Sequence, residues 1–286
     1  MRPRISEFSY GFALTRELID KKWNGLQLTA APFLPSLIAE GRQGGGFDVS
    51  LQSVNALVFL QFKVSHYMTR ATAKGVSSGH LSVPHYRFDV HAPRSSDQHR
   101  LLLELEQQAG VPPRIVRYVA PAFYTEGQFD AAFFANEVSD RSVFVAPSQI
   151  VLPDDREHSV GFPSPAGPTV VLSEPRVVDG VTDYISFTGD IRKVVTTNEA
   201  LSVTGPQIEA LRDAVLNLAR DVEPETKPER LFGHVAWIDR DQVPRPETLP
   251  RVDTASLRRM RPLDAIGHVA WTQFSCQTIA VARSEG

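Results

Sequence analysis

Three residues, Asp48, Gln61 and Lys63, have the types and spacing from which a hydrolytic metal site is assembled. They lie in Gly46-Phe47-Asp48-Val49-Ser50-Leu51 and in Phe59-Leu60-Gln61-Phe62-Lys63, segments that read as two strands, 47–51 and 57–64. Alternation puts Leu57, Phe59, Gln61 and Lys63 on one face of the second strand and Val58, Leu60, Phe62 and Val64 on the other. A hairpin turning at Val54-Asn55 places Asp48 opposite Gln61, and Asn suits such a turn. The three side chains then converge on one face. A carboxylate, an amide oxygen and a backbone carbonyl make a partial oxygen site for a hard cation such as Mg²⁺. A lysine leaving an apolar strand also needs a polar or charged partner. The same pattern fits an inert sheet in which Asp48 and Lys63 form a cross-strand ion pair.

The elements around these strands are legible from periodicity. Ile5, Phe8, Phe12, Thr15 and Ile19 recur at helical spacing behind Ser6, a fitting N-cap. Residues 97–108 read as a helix with Leu101, Leu102 and Leu105 on one stripe, 114–120 as a strand, 126–136 as a helix and 142–146 as a short strand. Residues 65–95 are rich in Gly, Ser, Pro and His and read mostly as loop. Pro163, Pro165 and Pro168 mark a boundary near residue 160. Beyond it, Thr204-Gly205-Pro206 opens a helix with Ile208, Leu211, Val215, Leu218 and Val222 on one face, and Glu223 to Arg230 reads as a solvated linker.

The series helix, GGGFDV, turn, FLQFK, helix and strand resembles the PD-(D/E)xK nuclease superfamily, and most nearly the Mrr-type restriction endonucleases, whose second acidic position is Gln. The likeness spans about residues 1–150 and includes RIVRYVAPAF and TEGQFDAAF. It implies an α/β protein with a restriction-endonuclease-like core, a mixed central sheet flanked by helices, over 1–160. Residues 161–286 are then a C-terminal α+β extension for recognition, oligomerisation or regulation. The implied activity is Mg²⁺-dependent hydrolysis of phosphodiester bonds in DNA, with Mn²⁺ as a substitute, in defence against foreign DNA or in DNA processing. Asp48 would bind the metal, Gln61 would occupy the second ligand position, and Lys63 would activate water and meet the developing charge. Glu7 matches the acidic residue that some members carry on the first helix, and Glu17 competes with it. The alternative is an inactive nuclease-fold module that binds nucleic acid or a protein partner. Two departures bear on this: Phe47 stands where a proline commonly precedes the aspartate, and Gln61 brings no charge.

Other candidates read as structure. Gly75-Val76-Ser77-Ser78-Gly79 lacks the strand and helix of a nucleophile elbow. His66, His80, His85, His91 and His99 have no helical zinc spacing, and Asp154 to His158 reads as an exposed turn. Lys21, Lys22, Arg42, Arg70 and Lys74 fit a local phosphate-contacting groove or a solvated surface equally. The pentapeptide GHVAW occurs at 233–237 and 267–271 with unlike flanks. Thirty Lys and Arg against 33 Asp and Glu, net charge -3, exclude a generally basic surface. One cysteine, Cys276, excludes an intramolecular disulfide. Without a signal segment or a run of about 20 apolar residues, the expected setting is cytoplasmic, with DNA as partner, no membrane, and a homodimer or partner protein possible in principle.

Overall fold

The computed structural model describes residues 1–21, 26–28, 53–70, 76, 79–91, 97–108, 114–172, 174–180, 182–198, 201–202, 205–220, 254–274 and 276–283. Asp48 and the strand read at 47–51, Ser77, Lys22, Arg42, Lys74, the 223–230 segment and the first GHVAW copy lie outside them. The protein is mixed α/β, with a mixed sheet flanked by helices.

That sheet runs β1 (Leu26–Leu28), β12 (Gln277–Arg283), β3 (Ala56–Phe62), β6 (Arg114–Pro121) and β7 (Ser142–Val145). Only the β3–β6 pair is parallel, aligning Leu57 with Arg114 and Gln61 with Tyr118. On the other side β12 runs antiparallel, aligning Leu60 with Gln277 and Ala56 with Val281. Both edges of β3 are therefore filled over 57–60, and the expected hairpin with 47–51 has no free edge on which to form. The carboxyl-terminal segment also supplies a strand to the sheet built by the amino-terminal half, so the parts separated at residue 160 share one sheet. Within 65–95, read mostly as loop, β4 (His66–Met68) and β5 (His85–Val90) join a second, antiparallel sheet. Its order is β10 (Arg176–Val177), β9 (Val170–Val171), β8 (His158–Phe162), β5, β4. A two-stranded pair joins β2 (Ser53–Val54) to β11 (Leu201–Ser202).

All seven residues of β3 are buried, because helices cover both of its faces. Ala56, Val58, Leu60 and Phe62 meet α1 (Glu7–Asp20) and α4 (Tyr184–Thr197). Leu57 and Phe59 face the core built with α2 (Gln98–Gln107), α5 (Pro206–Arg220), α6 (Thr254–Arg259) and α7 (Pro262–Phe274). Phe88, Val160 and Phe162 of the second sheet join that same core. The second GHVAW copy is part of α7 and buries Val269 and Ala270.

Helix α1 begins where its cap predicts, with the Ser6 hydroxyl accepting from the Ser9 N–H at 3.0 Å. The face it buries differs from the stripe read in the sequence: Tyr10, Ala13, Leu14 and Leu18 point inward, while Phe8 (67 % exposed), Phe12 (55 %) and Ile19 point out. Small residues decide between the two stripes. Gly11 lets α1 approach the Phe62 ring so closely that a Cβ there would lie 2.7 Å from Cδ2. Gly11→Ala therefore forces an overpacked contact that outweighs its gain in helix propensity. We expect stability to fall by about 1–2 kcal/mol, with Phe62→Leu restoring most of it, as read from urea unfolding midpoints.

Candidate functional site

Strand β3 ends in polarity. Gln61 is 3 % exposed and Lys63 5 %, and both leave on the face of Leu57 and Phe59, as alternation predicts. This is the carboxyl end of the parallel β3–β6 pair, the end at which open α/β sheets place their ligands. Helix α2, which leads back to β6, starts here. Its first residue, Gln98, is buried beside both side chains.

Gln98 joins the two. The Lys63 ammonium donates to Gln98 Oε1 at 3.0 Å. Gln98 Nε2 in turn donates to Gln61 Oε1 at 3.1 Å and to the Phe274 carbonyl at 3.5 Å. Gln61 Nε2 is held by the Phe62 carbonyl at 3.1 Å, which fixes its amide orientation. The Cys276 thiol lies 3.8 Å from Gln61 Oε1. Burial pushes that thiol far above its usual range, against the pull of the Lys63 charge, so at neutral pH it is a neutral neighbour. The ammonium polarises the Gln98 amide, and through it the charge is felt at Gln61.

The sequence reading joined Gln61 and Lys63 and missed Gln98. Its signal was its place directly after the Asp97 cap, on a helix entering from the strand's polar end. The choice between Glu7 and Glu17 is settled by packing. The buried Glu17 carboxylate accepts from Val138 N–H at 2.6 Å, Ser139 N–H at 3.3 Å and Ser139 Oγ at 2.7 Å, and pairs with Lys21 at 2.7 Å. It is a clamp between α1 and the turn before β7. Lys21 also bonds Asp140 at 2.8 Å and is spoken for. Half-buried Glu7 lies in the first turn of α1, one turn before the Gly11–Phe62 contact, and so on the face of β3 opposite to Gln61. A cation shared by Glu7 and Gln61 would have to sit beyond the strand's end rather than over its face. Among the described residues no three His, Cys, Asp or Glu side chains gather as a metal site.

The histidines lie apart. His66 faces Asp89 at 3.4 Å, and buried His85 bonds the Ser82 carbonyl at 3.0 Å. His99 follows Gln98 and bonds the Tyr118 hydroxyl at 3.1 Å. In the turn read at 154–158, Asp154 pairs with Arg156, and His158 turns inward to its carbonyl at 2.8 Å. A cleft of about 350 Å³ lined by Glu106, Arg117, Asp190 and Lys193 lies toward the far end of α2, away from Gln61 and Lys63. Among the described residues no helix is long and apolar enough to cross a membrane. Searched against protein-family models, curated proteins and solved structures, the chain matches none.

Two outcomes follow from this geometry. Gln98→Leu removes an acceptor from a buried ammonium and should cost about 1–3 kcal/mol. Adding Lys63→Met should recover most of it, which a double-mutant cycle of unfolding free energies measures. His99 is the second case. Burial holds its pKa at about 4, with nearby His158 adding to the drop and the Ile150 backbone opposing it. Unfolded, it takes a proton near pH 6.5, whereas the folded protein refuses one until about pH 4. Its contribution is therefore whole above pH 6.5 and is lost as pH falls toward 4. Wild type should lose on the order of 3 kcal/mol more than His99→Gln across that interval in urea titrations.

Proposed function

We propose that this protein is a metal-dependent nuclease of the PD-(D/E)xK kind, with a restriction-endonuclease-like core, hydrolysing phosphodiester bonds in DNA. The observation carrying the reading is the pairing of Gln61 and Lys63 at the carboxyl end of β3, on one face and joined through Gln98. An amide oxygen together with a carboxylate is a donor set of the hard-oxygen type that suits Mg²⁺ or Mn²⁺. In this reading Asp48 and Gln61 Oε1 hold the cation, with Glu7 beside the same strand end. The bound cation supplies Lewis-acid polarisation of the phosphoryl group.

The chain's own residues supply the rest. Lys63 carries a full charge in surroundings where few waters weaken it, so its ammonium meets the extra negative charge that develops on phosphate during attack. It also orients the attacking water by hydrogen bonding. Gln98 is a positioning residue: it holds the ammonium and Gln61 Oε1 in fixed relation before substrate arrives. Binding of a cation at Gln61 exchanges the Gln98 N–H for the ion at Oε1, which costs one buried hydrogen bond and limits the affinity.

A second reading has its own support. Gln61, Lys63 and Gln98 satisfy one another and are almost wholly buried, as befits a nuclease-fold module that binds nucleic acid or a protein without cutting. One experiment separates the two. Supercoiled plasmid is incubated with the protein and Mg²⁺, Mn²⁺ or EDTA, beside Lys63→Met and Asp48→Ala. The nuclease reading expects metal-dependent nicking that falls at least about 100-fold in each variant, with their melting temperatures checked in parallel. Cleavage retained in both variants overturns the site. Intact plasmid together with no rise in melting temperature at millimolar metal assigns the binding module instead.

A further inference from the structure

We propose that the outer face of α1 and α3 (Glu126–Ala135) is a homodimer interface that takes a second copy of this chain through a two-fold contact. The face lies on the far side of α1 from the Gln61–Lys63 end of β3, so dimerisation leaves that end uncovered.

Two independent features of the helices make this face anomalous for an isolated monomer. Helix α1 carries two apolar stripes, and the fold buries one; Phe8, Phe12 and Ile19 stay outside. Helix α3, EGQFDAAFFA, is apolar around most of its circumference, a composition proper to a covered helix. Yet Ala132 is its only fully buried residue, and Phe134 is 81 % exposed. Between the helices runs a groove of about 310 Å³ lined by Phe8, Phe12, Phe129, Phe133 and Phe134. Clustered phenyl rings of this kind form the centres of protein interfaces.

Shape and charge point to a copy of the same chain. An isologous contact requires one face to carry both a projection and the recess that receives it. Phe134 projects at the rim of the groove, so a two-fold axis through the face sends each Phe134 toward the groove of the other copy. The charges obey the same symmetry. Helices α1 and α3 run in the same direction, since Arg4 N–H bonds the Tyr124 carbonyl and the Arg16 guanidinium lies 4.5 Å over the Phe133 ring. Arg16 is thus toward one end of the face and Asp130, one turn earlier on α3, toward the other. Exchanging the ends brings Arg16 of one copy to Asp130 of the second, twice. Apart from Arg16, the exposed or half-buried charges on these helices are Glu7, Asp20, Glu126 and Asp130, which disfavours nucleic acid phosphates or an anionic membrane as the occupant.

Size sets the strength. A 14-residue α1 is about 21 Å long, and two helices side by side span about 20 Å, roughly 400 Å² in projection. Two such faces bury on the order of 1,000 Å², the lower bound for a specific interface, so the dimer is weak and concentration-dependent.

Sedimentation velocity of the full chain from 1 to 100 μM tests this. The expected result is a shift from 31.7 kDa toward twice that mass, half complete near ~10 μM. Phe134→Asp, at a site exposed enough to leave the fold intact by circular dichroism, stays monomeric throughout. Arg16→Glu weakens the dimer at least tenfold, and adding Asp130→Arg restores it. A wild type that is monomeric at every concentration, a Phe134→Asp chain that dimerises as well as wild type, or a charge swap without recovery overturns the proposal. None of these outcomes depends on nuclease activity.

Discussion

The ammonium of Lys63 is held in a place where a charge is expensive, at the end of a strand buried along its whole length. Much of the surrounding arrangement follows from meeting that cost. The charge cannot be met within β3, whose backbone is committed to β12 and β6. It is met by the first residue of α2, which also collects the amide of Gln61 and the carbonyl that ends α7. One carboxamide therefore fastens a central strand to two helices distant from it in sequence. Hydrogen bonds to charged groups in such surroundings are among the stronger ones a fold can make.

The opposite side of the sheet has a comparable device of opposite sign. Glu17 is a buried carboxylate satisfied by two backbone N–H groups, a hydroxyl and Lys21. It ties α1 to the turn before β7 as Gln98 ties α2 to β3. Between these two polar anchors the core is hydrocarbon and aromatic, including Phe144 stacked on Phe187 at 4.3 Å and Tyr10 edge-on to Phe62. Anchors of this type set orientation, and the apolar layers supply most of the stabilisation.

Local pattern and long-range pairing were unequally readable. The strand at 57–64, the helices beginning near 98, 126 and 206, and the cap at Ser6 follow from alternation, helical spacing and capping chemistry, which are properties of adjacent residues. The neighbours of β3 are not. A nearby segment at 47–51 is the cheaper partner by loop closure, but the strand pairs with residues at 114–119 and 277–281. Nor does composition separate the two stripes of α1, since phenylalanine is the more hydrophobic choice; the close approach at Gly11 selects the other. Gln61 and Lys63 were legible because each is a polar interruption of an apolar run. Gln98 was not, because a glutamine at the start of a polar-faced helix looks like ordinary surface.

The position of β12 between β1 and β3 bears on how the protein is made. Gln61 and Cys276 touch across 215 residues, which at about 5–20 residues per second is roughly 10–40 s of translation. During that interval the amino-terminal half waits on the ribosome with one side of its most apolar strand lacking its final neighbour. Such an edge invites pairing with other chains. Nascent-chain chaperones, rather than the early formation of a finished amino-terminal unit, are what the topology calls for.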